Sequence, residues 1–178
     1  MLKIGLDIDQ VLADFWNPYI KRFGQPKDDS IITKHCERVL IKDKEFWTTL
    51  PVIRVPNFTP TLVCTKRVNP KSYIREYLVN NFGWNKIPIY QMLYQHGNKA
   101  RMIKGRVDVF VDDSVSNFIK MNLSGVPCLL MDSPANQSWG PIGRVYSLNY
   151  EEIEDAYYLF MKTVFNNFKK YVQSNRSN

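Results

Sequence analysis

The chain has 178 residues, of which 44% are hydrophobic and 23% are charged, and its formal net charge is +7. This length fits one domain, or one domain with a small insertion, and an aromatic content of 13% excludes a disordered or fibrous protein. No apolar run approaches the roughly 18 residues of a membrane span, and the amino terminus lacks a secretory signal. We therefore expect a cytoplasmic protein without membrane contacts, as a monomer or a homodimer.

The first elements in chain order are a buried strand and a group of short helices. Residues 2–8 are mostly apolar and end in acids, which predicts the strand. Helical patterns follow at residues 13–23, 30–40 and 43–50, the last two with Ser30 and Asp43 as expected caps. These helices predict a small cap, residues 16–58, inserted into a core that consists of residues 1–15 and 59–178.

After the predicted cap, strands alternate with helices. Apolar runs predict four further strands, at residues 61–64, 87–90, 107–111 and 126–131. Helical spacing predicts four helices, at residues 70–82, 98–104, 114–123 and 151–172. Asn69 and Pro70 suit the start of the first of these helices, and Pro88 favours an edge position for its strand because proline lacks an N–H. The alternation predicts an α/β fold with a mostly parallel sheet.

Two pairs of carboxylates follow predicted strands. Asp7 and Asp9 come after the first strand, and Asp112 and Asp113 follow residues 107–111. The carboxyl ends of parallel strands share one edge of a sheet, where four carboxylates would repel one another unless a cation lay between them. Either pair alone is well explained as polar strand ends, but together they predict a magnesium site.

Two other residues are suited to bind a phosphoryl group at the same edge. Thr65 closes the strand at 61–64, so that its hydroxyl and the neighbouring N–H groups can reach phosphate oxygens. Lys99 opens the predicted helix at 98–104 and can neutralise a phosphoryl group. Lys104 is the alternative lysine, although it closes that helix instead of opening it.

In chain order, the set Asp-x-Asp, Thr, Lys and Asp-Asp resembles the four motifs of the haloacid dehalogenase (HAD) superfamily of phosphotransferases. The segment Asp-Ile-Asp-Gln-Val-Leu-Ala-Asp-Phe, residues 7–15, is similar to the opening motif of the 5′(3′)-deoxyribonucleotidases. Further segments resemble the same family, at residues 63–65, 111–114 and 132–137. The resemblance covers about residues 1–25 and 60–140, and it implies a HAD-like, Rossmann-type three-layer sandwich with a small helical cap.

The resemblance also implies a role for each site residue. Asp7 would be the nucleophile that forms an aspartyl-phosphate, and Asp9 would transfer protons. The implied phosphate ligands are Thr65 and Lys99. The implied ligands of Mg²⁺ are Asp7, Asp9 through its backbone carbonyl, Asp112 and Asp113. The implied substrate contact is Phe15, to which Trp16 or Trp47 could add. Lys66 and Arg67 are further candidates because they follow Thr65, where they could reach the phosphate or the rest of the substrate.

The chain departs from the family pattern at several positions. Gln10 stands where the family prefers glycine, and Lys66-Arg67 follows Thr65 where the family has a small residue and proline. These departures affect the prediction of the exact substrate more than the prediction of a phosphatase reaction. We expect a Mg²⁺-dependent phosphatase of nucleoside monophosphates, deoxyribonucleotides first. The alternatives are a phosphatase of nucleic-acid 3′-phosphate ends and a non-enzymatic binding protein that retains the fold.

The excess of positive charge lies in one part of the chain. Residues 64–106 hold nine Lys and Arg against a single acid, Glu76, a net +8, whereas the remainder has 15 basic and 16 acidic residues, a net −1. This stretch supplies Thr65 and Lys99. A localised excess beside predicted carboxylates favours a phosphorylated substrate, either a nucleotide or the end of a nucleic acid.

Overall fold

The fold is a three-layer α/β arrangement around one parallel sheet. A computed structural model describes residues 1–92, 97–165 and 167, and among these residues six strands pair in the order β3-β2-β1-β4-β5-β6. The strands are β1 (Ile4–Leu6), β2 (Leu62–Thr65), β3 (Ile89–Gln91), β4 (Val109–Asp112), β5 (Cys128–Met131) and β6 (Arg144–Val145). Every neighbouring pair is parallel. The predicted α/β class and parallel sheet are confirmed, and β3 lies at an edge as Pro88 indicates.

Helices flank this sheet. They are α1 (Trp16–Phe23), α2 (Asp29–Arg38), α3 (Lys44–Thr48), α4 (Lys71–Phe82), α5 (Ala100–Ile103), α6 (Val115–Leu123) and α7 (Tyr150–Phe160). A π-helical turn, Met161–Phe165, continues α7, and most of the remainder of the helix predicted to reach residue 172 lies outside the described residues. Within the described part of the chain, no helix is long and apolar enough to cross a bilayer.

The caps of the first helices differ in part from the prediction. Asp28, not Ser30, caps α2, because its side chain accepts the N–H groups of Ser30 and Ile31. Ser30 lies inside the first turn, where it cannot act as the cap. Asp43 caps α3 as predicted, through the N–H of Phe46 at 2.9 Å. Pro70, not Asn69, is the residue immediately before α4.

The chain leaves the sheet after β1, forms α1 to α3 and then returns to the sheet. The outgoing and returning segments are hydrogen-bonded to each other. The N–H of Asp14 donates to the carbonyl of Pro51 at 2.8 Å, and the N–H of Ile53 donates to the carbonyl of Leu12 at 2.9 Å. All three helices lie within the predicted cap, whose exact limits at 16 and 58 stay a prediction. The segment that leads back to the sheet contacts the loop between β6 and α7, since the N–H of Asn57 donates to the carbonyl of Leu148.

The direction of the chain across the sheet reverses beside β1. The connections from β1 to β2 and from β2 to β3 move outward on one side, and the chain then crosses back to place β4 on the other side of β1. Right-handed crossovers put the helices of the two halves on opposite faces. The reversal opens a crevice at the carboxyl ends of β1 and β4, where ligands bind in open α/β sheets.

Gly5 lies at the centre of the sheet, where the packing leaves no room for a side chain. A Cβ at this position would lie 2.7 Å from Phe110 Cδ2 and 3.0 Å from Val107 Cγ1. Because Phe110 is fully buried, it has little room to move.

We predict that Gly5→Ala lowers the free energy of unfolding by about 1–3 kcal/mol, the usual cost of overpacking a core. Urea-induced unfolding monitored by circular dichroism measures the change. Gly140→Ala is the matched control, because among the described residues nothing beyond its chain neighbours lies within 4 Å of the Cβ it would add. Equal effects of the two substitutions would contradict the packing explanation.

Candidate active site

A buried lysine joins the ends of β1 and β4. Lys99 Nζ lies 2.7 Å from Asp7 Oδ2 and 2.8 Å from Asp112 Oδ2, and only 1% of its side chain is exposed. Lys104 instead donates to the carbonyl of Ser124 at 3.0 Å. The geometry therefore favours Lys99 over Lys104 as the lysine of the site.

The two carboxylates keep Lys99 charged although it is buried. Burial by itself lowers the pKa of a lysine, but Asp112 and Asp7 outweigh it and raise the pKa of Lys99 above its usual value. A buried ammonium ion needs such partners, since desolvating an unpaired charge is very unfavourable. The same contacts place the Lys99 ammonium group beside the carboxylate of Asp7.

Three carboxylates converge beside this lysine. Oxygen atoms of Asp7, Asp112 and Asp113 all lie within 4.8 Å of one another. Burial raises the pKa of Asp7 to about 7, where attraction by Lys99 opposes repulsion by Asp112 and Asp9. Burial, together with Asp112 and Asp7, also raises the pKa of Asp113 well above its usual value. When all three carboxylates are ionised, their charge exceeds that of Lys99, and such a cluster of oxygen ligands fits a divalent cation.

Asn117 contacts Asp112, the most buried of these carboxylates, and also a second cation, Lys66. Its Nδ2 donates to both oxygens of Asp112, at 3.0 and 3.1 Å, while its Oδ1 accepts from Lys66 Nζ at 2.8 Å. Burial and the nearby charge of Lys99 lower the pKa of Lys66. Lys66 and Lys99 thus both place ammonium groups close to Asp112, an arrangement suited to an anionic ligand.

Thr65 lies at the end of β2, at the same edge of the sheet. It is almost fully buried, and its Oγ1 accepts the N–H of Arg67 at 3.2 Å. That bond uses the hydroxyl oxygen as an acceptor, so the O–H proton can point toward an anion. Phosphate binding by Thr65 is compatible with this placement and stays a prediction.

Asp9 is paired with Arg67. The guanidinium Nη2 lies 2.7 Å from Asp9 Oδ1, and Nε lies 3.1 Å from each carboxylate oxygen. None of the Arg67 side chain is exposed, whereas 29% of the Asp9 side chain is. The structure therefore places Arg67 against a carboxylate of the site, and its contact with substrate stays a prediction.

A cavity of about 160 Å³ opens next to Asp9. Its lining consists of Asp9, Phe15, Ile32, Cys36, Trp47, Lys66, Arg67 and Val68. The rings of Phe15 and Trp47 are stacked, with 5.9 Å between their centroids. Trp16 does not line this cavity; it borders a different one, of about 430 Å³, with Gln10, Asp14 and Pro134. The structure thus brings two of the three predicted aromatic contacts to the site and separates the third.

The loop after β1 depends on contacts that the sequence pattern does not reveal. Gln10 adopts a left-handed backbone conformation, φ 59°, which explains why glycine suits this position in the related motif. Arg54 donates to the carbonyls of Gln10, at 2.9 Å, and Asp132, at 2.7 Å, and so ties this loop to the loop after β5. Asn136 donates to the carbonyl of Asp113 at 2.8 Å.

The sequence alone does not place Arg54 or Asn117 in the site. Arg54 lies in a segment without helical or strand periodicity, and Asn117 lies in an ordinary helical pattern, so neither carries a motif. Asn136 belongs to the segment at residues 132–137 that resembles the family, but only the structure shows that its amide donates to the carbonyl of Asp113.

No protein-family model matches this chain, and a search of curated proteins returns no significant match.

We predict that Mg²⁺ stabilises the protein more at pH 8 than at pH 5, measured as the shift of the thermal unfolding midpoint. With a pKa of about 7 when folded against 3.8 unfolded, protonated Asp7 favours the folded protein at low pH, and this contribution is lost as the pH rises toward 7. Mg²⁺ binding needs deprotonated carboxylates, so the stabilisation of the folded protein by Mg²⁺ increases as the pH rises. At a Mg²⁺ concentration of 100 times Kd, this stabilisation amounts to about 2.7 kcal/mol.

Asp113→Asn should reduce this Mg²⁺-dependent shift. Asp108→Asn is the matched control, because Asp108 lies just before β4 at the opposite end from Asp112, where it accepts the N–H of Lys3. A shift of equal size at both pH values, or one unchanged by Asp113→Asn, would contradict a magnesium site at these carboxylates.

Proposed function

We propose that this protein is a Mg²⁺-dependent phosphomonoesterase of the HAD type. The observation that carries the proposal is the Lys99 bridge between Asp7 and Asp112, with Asp113 alongside, at the reversal point of the sheet. Residues of three motifs that are far apart in the sequence meet there. Asp9 follows Asp7 by two residues, the spacing that the proposed proton transfer needs.

In the first step, an oxygen of Asp7 attacks the phosphorus of the substrate. The ester P–O bond breaks, its electron pair stays on the leaving oxygen, and that oxygen takes a proton from Asp9. Lys99 and Lys66 counter the negative charge of the phosphoryl group while Asp7 approaches it. The product of this step is a phosphorylated Asp7 and a free alcohol.

In the second step, water regenerates Asp7. Asp9 takes a proton from the water whose oxygen attacks phosphorus, and the bond between phosphorus and Asp7 breaks with its electron pair returning to the carboxylate. Asp7, Asp112, Asp113 and the backbone carbonyl of Asp9 would hold Mg²⁺, which would neutralise charge on the phosphoryl oxygens. Asn117 keeps Asp112 in place through both steps.

A nucleoside monophosphate is the substrate class that the cavity beside Asp9 supports. Phe15 and Trp47 line this cavity and are 8% and 2% exposed, so they offer a base an apolar wall and not an open stacking face. The volume of about 160 Å³ is below that of sites for drug-sized ligands, about 300–1,000 Å³, which favours a single ring. The resemblance to deoxyribonucleotidases makes deoxynucleotides the first choice.

The second candidate substrate is the 3′-phosphate end of a nucleic acid. It is favoured by the basic residues of the 64–106 stretch that lie outside the site. Five of these are exposed, namely Lys71, Lys86, Arg101, Lys104 and Arg106. A polymer that contacts them would bind with a steep dependence on salt.

We predict that the purified protein releases phosphate from deoxynucleotides in the presence of Mg²⁺ and that Asp7→Asn abolishes the release, because an amide is not a competent nucleophile. The assay measures inorganic phosphate over a panel of ribo- and deoxynucleotides with a 3′-phosphorylated oligonucleotide beside them. Asp108→Asn is the control and should retain the activity. A wild-type protein that is inert on the whole panel would contradict the proposal.

A further inference from the structure

The guanidinium of Arg67 fixes the orientation of the Asp9 carboxylate. Three donor–acceptor pairs join the two groups at 2.7 to 3.1 Å. A guanidinium is planar and presents its N–H groups as a rigid fork, so such a contact sets both the position and the plane of a carboxylate. A lysine at this position would supply charge without that directional control.

Two aromatic rings hold Arg67 itself. Its Cζ lies 5.2 Å from the ring centroid of Trp47 and 5.3 Å from that of Tyr77, within the range of cation–π contacts. Trp47 belongs to α3 of the inserted helices, and its Nε1 donates to the carbonyl of Leu40 at 2.7 Å. Tyr77 belongs to α4 of the core. The guanidinium therefore takes its position from both parts of the molecule.

A contribution to the stability of the fold does not explain why an arginine occupies position 67. Its Nη1 is buried, and no hydrogen-bond partner for it exists among the described residues. An orphaned buried donor is unfavourable, and replacing both partners of a buried ion pair with well-packed apolar residues often costs no stability. The arrangement is better explained by what the fork does to Asp9.

We propose that Arg67 is a positioning residue for the proton transfer by Asp9, and that Trp47 couples this positioning to the inserted helices. The inference rests on the proposed function. Arg67 holds the carboxyl of Asp9 so that its proton moves to the leaving oxygen as the P–O bond breaks, and so that it later accepts a proton from the attacking water. This role differs from the contact with substrate that the sequence predicts for Arg67.

The test compares two leaving groups in Arg67→Met. For a deoxynucleoside monophosphate, kcat/KM should fall by about 10²-fold or more, because the leaving alkoxide needs a proton. For p-nitrophenyl phosphate, kcat/KM should fall by less than about threefold, because nitrophenolate leaves unprotonated. The kcat for the aryl ester should still fall together with KM, since hydrolysis of phosphorylated Asp7 needs Asp9 as a base.

Trp47 variants test the coupling to the inserted helices. Trp47→Leu removes one ring from Arg67 and should produce a smaller change with the same dependence on leaving group. Trp47→Phe keeps a ring there and should largely restore the wild-type ratio. Thermal unfolding establishes that each variant is folded. Equal losses of kcat/KM on both substrates in Arg67→Met, or in Trp47→Leu if Arg67→Met does not fold, would overturn the inference.

Crystal structures of the wild type and the variants give a readout that does not depend on activity. Asp9 should occupy one orientation in the wild type and more than one in Arg67→Met and Trp47→Leu. A single, unchanged orientation of Asp9 in all three would overturn the inference. A wild type that is inert on both substrates would instead defeat the proposed function, while the crystal structures would still decide how Asp9 is held.

Discussion

The site depends on one buried ammonium group between two carboxylates. Lys99 bridges Asp7 and Asp112, which come from adjacent parallel strands on either side of the reversal point of the sheet. Without Lys99, three converging carboxylates would face one another in a desolvated crevice. With Lys99 and the nearby Lys66, two positive charges face three acids, and a divalent cation would supply the further positive charge that an anionic phosphoryl group needs.

The surrounding residues divide their contacts between the two halves of this crevice. Asn117 and Lys66 organise the β4 side, where Asp112 lies. Arg67 organises the β1 side, where Asp9 lies. Because Arg67 also contacts Trp47 of the inserted helices, the orientation of Asp9 depends on how that insertion packs against α4. The inserted helices and the site are thus connected through direct contacts.

The sequence predicts those features that depend on local pattern. Apolar runs that end in acids identify β1 and β4, and the alternation of strands and helices gives the parallel sheet. The two-residue strand β6 is too short to leave a pattern and was not predicted, and the cap of α2 was assigned to Ser30 when Asp28 makes the contacts. The partner of Arg67 is 58 residues away in the chain, so its role depends on tertiary packing that no local motif encodes.

The central claim is that Asp7 carries the phosphoryl group during the reaction. Acid quenching during turnover of a deoxynucleoside monophosphate with Mg²⁺, followed by borohydride reduction, converts an aspartyl-phosphate to homoserine, which mass spectrometry locates in the chain. The account predicts homoserine at position 7 only when both substrate and Mg²⁺ are present. Phosphate release without any modification at position 7, or with the modification at another aspartate, would contradict it.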